Sequence, residues 1–275
     1  MPASDSPPIA IIAGAGHFPF HVAQEAKRQG RSVIALGVSG WVDHTLSSRV
    51  DAFEEVAVGQ LRRLIDRLKS HGVRHAIMAG KVTKDVLFDR QTMFDADALR
   101  ALQGVREMSV PALLGAIGAR LAQEGITLLD SSTFLSDSLC PPGVLTARAP
   151  RAEEAEDIQV GLRAARAITT LDIGQTVVVK SGVVVAIEAL EGTDATIRRA
   201  GTIAGPGLTV VKMAAATQDR RFDLPVIGSD TIAILTASGA TCVALEAGST
   251  LLLDRDALLA AANAAGLCII GVQPL

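Results

Sequence analysis

The chain has 275 residues, and its 26 Lys and Arg against 29 Asp and Glu give a formal net charge of −3 at pH 7. This near-neutral balance, with only 3% aromatic residues, offers nucleic acid neither a basic face nor stacking platforms, so we expect no nucleic-acid partner. A chain that is 49% hydrophobic is also too apolar to be disordered.

Apolar runs alternate with helix-like segments through the first half of the chain. The predicted strands cover residues 9–13, 33–36, 76–79 and 126–129. The predicted helices cover residues 19–29, 61–68 and 114–121, and Pro19 and Gly30 suit the two ends of the first one. Strands that alternate with helices of this length are parallel and joined by right-handed crossovers. We therefore predict a Rossmann-like parallel sheet in an N-terminal domain of residues 1–138.

The second half follows a turn-rich stretch at residues 141–143 and has a different pattern. The predicted strands cover residues 176–179, 183–187, 209–211, 241–244, 251–253 and 268–272. The predicted helices begin at residue 152, at the polar cluster of residues 191–194, at residue 230 and near residue 254. Lys180-Ser181-Gly182 separates the first two strands and is a hairpin signature. We therefore predict a distinct C-terminal α/β domain of residues 139–275.

The cysteines and the N-terminal segment both indicate a cytoplasmic protein. Cys140, Cys242 and Cys268 are widely spaced and odd in number, which is typical of reduced thiols rather than of disulfides or a zinc site. The first basic residue is Lys27, so the given sequence starts without the positive region of a signal peptide.

A glycine-rich turn separates the first predicted strand from the first helix. Gly14 and Gly16 follow the strand, and such a turn points backbone N–H groups and a positive helix end toward an anion. Pro19 stands where a dinucleotide-binding motif has its third glycine, and the second strand ends without an acidic residue. NAD is therefore disfavoured, while phosphate binding and a tight turn without a ligand both stay open.

Charged side chains also occur in loops between the apolar strands of the second half. Carboxylates in such loops can hold a divalent ion, and cations can clamp phosphate oxygens. An ordinary structural role is equally open, since Asp223 precedes a Leu-Pro turn and Thr193-Asp194 suits a helix cap. These loop residues are Glu191, Asp194, Lys212, Asp219, Arg221 and Asp223.

Five blocks of the sequence resemble one family. They are residues 12–19, 79–82, 171–175, 188–194 and 222–228, which read IAGAGHFP, AGKV, LDIGQ, EALEGTD and FDLPVIG. They are similar to the signature blocks of the LpxI-type UDP-2,3-diacylglucosamine pyrophosphatases of the lipid A pathway. The resemblance runs from about residue 8 to the C-terminus without large gaps.

This resemblance implies two domains and hydrolysis of UDP-2,3-diacylglucosamine at the α-phosphorus, which gives UMP and 2,3-diacylglucosamine 1-phosphate. It implies a magnesium-assisted reaction with Asp223 as the catalytic aspartate and metal ligand. It also implies a homodimer, with peripheral contact at the inner membrane left open because the substrate is a lipid. The substrate-binding residues that we assign on this basis are Gly14, Gly16, Gly80, Lys81, Glu191, Gly192, Thr193, Asp194, Lys212, Gln218, Asp219 and Arg221.

Two departures from the family pattern leave an alternative open. Val110 and Pro111 stand where members of the family usually carry paired aspartates, and Ala215 and Ala216 replace a lysine and a proline. A non-catalytic or substrate-shifted ligand-binding member of the same family is therefore the alternative function.

Overall fold

The computed structural model describes residues 7–82, 93–103, 110–214, 219–222 and 224–273. They form two compact units. The first comprises the described residues within Met1–Leu135 and Asp219–Asp223, and the second comprises those within Ser136–Gln218 and Leu224–Leu275. Among the described residues, no helix combines the length and the apolar character that crossing a bilayer requires.

The division into units differs from the predicted division after residue 138 in two respects. The first unit's main stretch ends at Leu135. Residues 219–222 group with the first unit, although the sequence pattern assigns them to the C-terminal domain. Polar contacts explain this second difference. The Arg220 guanidinium lies 2.9 Å from the Asp130 carboxylate, and the Ser131 N–H donates to the Arg220 carbonyl at 2.9 Å.

The first unit contains a five-stranded sheet in which every pairing is parallel, which confirms the predicted α/β class. The strand order is β3-β2-β1-β4-β5. The strands are β1 Ile9–Ala13, β2 Val33–Val38, β3 Ala52–Val56, β4 His75–Ala79 and β5 Thr127–Leu128. The helices are α1 Phe18–Arg28, α2 Leu61–Ser70, α3 Ala96–Gln103 and α4 Val110–Gln123, and His44–Arg49 forms a short 3₁₀ helix.

Burial on both faces explains why β1 and β2 could be predicted from apolar runs alone. The strand IAIIA and the first five residues of VIALGV are almost wholly buried, as in parallel sheets covered by helices on both sides. The strand order reverses between β1 and β4, since β2 and β3 lie on one side and β5 on the other. In open α/β sheets, ligands bind outside the carboxyl ends of the strands at such a switch point.

The second unit contains a mixed six-stranded sheet with the order β6-β13-β11-β9-β7-β8 and a two-stranded pair, β10-β12. Its strands are β6 Gly143–Val144, β7 Thr176–Lys180, β8 Val183–Ile187, β9 Leu208–Lys212, β10 Val226–Ile227, β11 Ala240–Glu246, β12 Leu251–Leu252 and β13 Cys268–Val272. Its helices are α5 Ala152–Thr170, α6 Thr193–Ala204, α7 Ser229–Ala237 and α8 Arg255–Ala264. Ser136–Ser138 forms one further 3₁₀ turn.

The β7–β8 hairpin is confirmed, and its turn has the predicted chemistry. Ser181 and Gly182 both have positive φ, at 50° and 75°, as a type I′ turn requires. The buried Asp157 carboxylate of α5 accepts the N–H groups of both turn residues, at 3.2 and 2.6 Å. The turn pairs Lys180 with Val183, and the register of the hairpin shifts between Val178 and Val179 on the way to Thr176 at the other end of β7.

The three cysteines are buried in the second unit with free thiols. Burial raises the pKa of Cys140 to about 11. This thiol is therefore protonated at neutral pH.

Candidate functional site

The glycine turn of the first unit comprises residues 14–16 and the adjacent residues 80–81, at the switch point between β1 and β4. The backbones of Ala15 and Lys81 exchange two hydrogen bonds of 2.9 Å. A Cβ atom on Gly14 would lie 2.7 Å from the Lys81 carbonyl oxygen, and one on Gly80 would lie 2.7 Å from the Gly14 carbonyl carbon. Close backbone contact therefore accounts for both glycines, whether or not a ligand binds.

Gly16 differs from these two glycines in having open space around it, since a Cβ atom there would meet nothing within 4 Å. Its φ of +90° requires glycine by conformation alone, whereas Gly80 combines a φ of +94° with the close contact. Helix α1 begins two residues later with Pro19 in its first turn, which removes one backbone donor from the helix end. The four residues predicted in this region, Gly14, Gly16, Gly80 and Lys81, thus come together at one strand end.

Residues 219–222 lie beside the carboxyl ends of β4 and β5 in the same unit. The buried Ser131 hydroxyl is 2.9 Å from the Met78 carbonyl oxygen and 3.0 Å from that of Arg221. The Phe222 ring packs on α4, 3.3 Å from the position of a Cβ on Gly118, and the Arg221 guanidinium lies 4.8 Å from the centre of that ring. The segment that leads directly to Asp223 is therefore anchored on the first unit.

Asp219 and Arg221 form an ion pair with each other. The Arg221 Nε donates to both carboxylate oxygens of Asp219, at 2.8 and 3.0 Å, and this contact holds the pKa of Asp219 below its usual range. The predicted site residues Gln218 and Asp223 lie outside the described residues, as do Ala215, Ala216 and the side chains of Val110 and Pro111.

A second polar group, the lysine cluster of Lys212, Thr176, Thr193 and Glu188, lies in the second unit. Lys212 ends β9 and is 7% exposed, and its Nζ lies 2.8 Å from the Thr193 Oγ1 and 3.5 Å from the Thr176 Oγ1. Thr176 begins β7 and is the antiparallel register partner of Lys212, while Thr193 is the first residue of α6. Sheet pairing and a helix end thus bring the two hydroxyls to the lysine.

Glu188 completes the lysine cluster and was not among the predicted site residues. Its carboxylate oxygens lie 3.1 and 3.2 Å from the Thr193 hydroxyl, and one of them accepts the Gln175 N–H at 3.4 Å. A signal was present in the sequence, because Glu188 follows a strand directly and stands in one of the five family-like blocks. Its role depends on Thr193, which only the fold brings near.

The loop that leads into α6 holds the remaining predicted residues. The Glu191 carboxylate accepts from Arg199 at 2.7 Å, and its own backbone N–H and this arginine lower the pKa of Glu191. Gly192 has φ +83° and is the N-cap of α6, so the cap precedes the Thr193-Asp194 pair proposed for that role. Asp194 is exposed in the first turn. Glu191 therefore connects the loop to α6. The first residue of that helix, Thr193, lies beside Lys212.

These arrangements define a class of protein. One unit is a parallel α/β sheet with a glycine turn at its switch point, and the other is a mixed α/β sheet with a buried lysine at a strand end. Strand ends and helix N-termini of this kind suit phosphate groups. The chain is thus a two-unit α/β protein in which each unit carries a strand-end arrangement of a type that suits an anion.

Comparison with known families gives the particular family. The family model of the LpxI N-terminal domain matches residues 8–138, and that of the LpxI C-terminal domain matches residues 141–270. The chain belongs to the LpxI family, which confirms the resemblance seen in the sequence. The curated UDP-2,3-diacylglucosamine pyrophosphatase LpxI of Caulobacter vibrioides is 31% identical over 277 residues, which cover 97% of this chain and 98% of the relative.

Solved structures give weaker matches. The biotin carboxylase domain of the Hydrogenobacter thermophilus 2-oxoglutarate carboxylase is 14% identical with a TM-score of 0.27, over 64% of this chain and 35% of that one. The biotin carboxylase domain of a single-chain bacterial carboxylase is 13% identical with a TM-score of 0.28, over 62% and 35%. The chain thus spans about a third of these proteins, and likeness at this level carries no functional argument.

Proposed function

We propose that this protein is a hydrolase that cleaves the diphosphate of UDP-2,3-diacylglucosamine and so serves lipid A synthesis. The observation that carries the proposal is the match to the LpxI pyrophosphatase of Caulobacter vibrioides over 97% of the chain. Both family domains are present, so neither half of the protein is missing from the comparison. The substrate is a UDP-linked diacyl sugar, and one product is a lipid.

In the proposed reaction, water attacks the α-phosphorus. The water oxygen bonds to that phosphorus and its protons are released to solvent, while the bond to the bridging oxygen breaks and this oxygen leaves on the β-phosphate. The products are UMP and 2,3-diacylglucosamine 1-phosphate. Negative charge develops on the leaving phosphate, so a cation fixed beside it stabilises the transition state more than the bound substrate.

Lys212 is the residue that we propose for this electrostatic role. Its ammonium group is a donor of three hydrogens, and the described structure provides it with two hydroxyl partners and no carboxylate partner. Two of the three hydrogens thus have hydroxyl acceptors among the described residues, and one N–H is available for a phosphate oxygen. The α6 N-terminus, with Gly192, Thr193 and Asp194, adds backbone donors on the same side.

Asp223 is the residue that we propose to orient the attacking water. A carboxylate beside a diphosphate can accept a hydrogen bond from water or hold a metal ion. The preceding residues 219–222 are anchored on the first unit through the Ser131 hydroxyl and α4. The remaining proposed contacts to the substrate are Gly14, Gly16, Gly80, Lys81, Glu191, Gln218, Asp219 and Arg221.

Mg²⁺ is the cofactor that we propose, held by Asp223 and by phosphate oxygens of the substrate. Among the described residues, no three His, Cys, Asp or Glu side chains converge as a preformed cage. The Asp223 carboxylate and the substrate phosphates suit Mg²⁺, because this ion is usually bound through one or two carboxylates, substrate phosphates and several waters. When bound, the ion neutralises phosphate charge.

We also propose that the protein is a homodimer of the cytoplasm that contacts the inner membrane peripherally. The lipid nature of the proposed substrate supports membrane contact, since one product remains an amphiphile. Ultracentrifugation, and flotation with anionic vesicles, test the two assembly proposals separately from the reaction.

The test of the proposed function is release of UMP from UDP-2,3-diacylglucosamine by the purified protein. We expect release with Mg²⁺, its loss with a chelator and its recovery when Mg²⁺ is added back. Asp223→Asn abolishes release while the variant still binds UMP in calorimetry, and the exposed Asp256→Asn on α8 is the matched control that leaves turnover unchanged. Binding of UMP without turnover by the unmodified protein would instead support the non-catalytic alternative.

A further inference from the structure

In the lysine cluster, the donor and acceptor of each hydrogen bond can be assigned in only one way. Lys212 only donates, and a carboxylate such as that of Glu188 only accepts. The Thr193 hydroxyl lies between them, 2.8 Å from the Lys212 Nζ and 3.1 and 3.2 Å from the two Glu188 oxygens. Because the hydroxyl has one hydrogen, it gives that hydrogen to Glu188 and offers a lone pair to Lys212.

The donor and acceptor roles of the second hydroxyl, that of Thr176, follow in the same way. Thr176 is fully buried, and its Oγ1 lies 3.2 Å from the Thr193 Oγ1 and 3.5 Å from the Lys212 Nζ. Since the Thr193 hydroxyl donates its hydrogen to Glu188, the Thr176 hydroxyl donates to Thr193 and accepts from the lysine. Both threonines thus present acceptors to Lys212, and Glu188 determines this polarity.

The backbone holds Glu188 in the position that this role requires. The Glu188 N–H donates to the Thr176 carbonyl at 2.8 Å, while its carboxylate accepts the Gln175 N–H at 3.4 Å. Gly174 permits this contact, because a Cβ atom there would lie 2.2 Å from the Glu188 carbonyl oxygen. Two adjoining segments of chain therefore orient one carboxylate toward one hydroxyl.

We propose that Glu188 is a positioning residue for the diphosphate hydrolysis, acting on Lys212 through Thr193. The carboxylate fixes the Thr193 hydroxyl as an acceptor, and this places the lysine with one N–H directed to a substrate phosphate. Glu188 touches neither substrate nor metal in this account. The inference rests on the proposed function, because it requires Lys212 to bind phosphate.

The test measures kcat and KM for UMP release by single and double variants. Glu188→Ala lowers kcat/KM on the order of 10- to 100-fold, which is the loss expected for a charged hydrogen bond. Glu188→Gln loses less, because an amide oxygen can still accept from Thr193. The matched control is Glu156→Gln, an exposed glutamate on α5 outside the site, which leaves kcat/KM unchanged.

A double-mutant cycle separates positioning from a merely structural role. In the Lys212→Met background, Glu188→Ala causes less than about a twofold further loss, because the residue on which it acts is gone. Equal losses in both backgrounds would overturn the inference. Thr193→Val reproduces the loss and Thr193→Ser restores most of it; this pair also decides the matter if Glu188→Ala does not fold.

The outcomes distinguish this inference from the proposed function. If Lys212→Met retains full activity, the phosphate role of Lys212 fails and the inference fails with it. If Lys212→Met is inactive but Glu188→Ala has the kinetics of the unmodified protein, the inference alone is wrong. If the unmodified protein releases no UMP, the proposed function itself is wrong.

Discussion

The glycine turn and the lysine cluster lie at strand ends in different units, and different parts of the chain build them. In the glycine turn, backbone meets backbone, with paired hydrogen bonds of 2.9 Å between Ala15 and Lys81. In the lysine cluster, four side chains from β7, β9, the end of β8 and α6 meet. At Gly14 and Gly80 the close backbone contact leaves no room for an added atom, whereas the lysine cluster depends on polar groups that a substitution can remove.

The largest expected effect is on activity in the lysine cluster. Lys212→Met removes the buried cation and lowers kcat for UMP release by about 100- to 1,000-fold, as loss of one preorganised donor does in other enzymes. Lys180→Met is the matched control, because the Lys180 Nζ donates to the Ala204 carbonyl at 2.5 Å and lies at the other end of β7. This control costs stability and leaves kcat unchanged. A loss of activity equal to that of Lys212→Met would contradict the assignment.

In the glycine turn, the expected effect is on stability. Gly14→Ala places a methyl group 2.7 Å from the Lys81 carbonyl oxygen and destabilises the first unit by about 1–3 kcal/mol in urea unfolding. Gly115→Ala on α4 meets nothing within 4 Å and is the matched control. Alanine is the better helix former, so this control gains about 0.5–1 kcal/mol. An equal response of the two variants would contradict the account of the turn.

A third feature is the buried ion pair of Arg148 and Glu154, which anchors α5 in the second unit. Its contribution to stability can be measured at acid pH. Burial raises the pKa of Glu154, but hydrogen bonds from Arg148 and the Arg151 N–H outweigh burial and lower this pKa to about 2. A carboxyl with a lowered folded-state pKa contributes stability above its unfolded-state pKa, and this contribution is lost as the pH falls from about 4.5 toward 2.

Glu154→Gln should therefore flatten the acid limb of the unfolding free energy between pH 5 and 2. At pH 7 the variant loses up to about 2–3 kcal/mol, the equivalent of the pKa shift. The exposed neighbour Glu153→Gln is the control and keeps the acid limb. Parallel pH profiles for the unmodified protein and Glu154→Gln would show that the ion pair does not carry this stability.

The degree to which each strand is buried explains how much of the fold could be predicted from the sequence. Buried strands such as β1 and β2 are continuous apolar runs, so they were predicted correctly. The edge strand β3, with the sequence AFEEV, and the short helix α3 were not predicted. The two glutamates of β3 break the apolar run, because an edge strand is only partly covered.

For the candidate site, the sequence indicates residues only where local chemistry points to them. The loop motif EGTD pointed to the start of α6, and a lysine that ends an apolar strand pointed to Lys212. Glu188 was not predicted because its proposed role depends on Thr193 and the Gln175 N–H, and only the fold brings these groups to the carboxylate. The contact of Gly14 with Lys81 is likewise long-range, so the sequence left ligand and packing explanations open.

The most direct test of the central claim is hydrolysis of UDP-2,3-diacylglucosamine in ¹⁸O-labelled water, with mass spectrometry of both products. Water attack at the α-phosphorus predicts one ¹⁸O atom in UMP and none in 2,3-diacylglucosamine 1-phosphate. Label in the lipid phosphate, or no cleavage at all, would contradict the account.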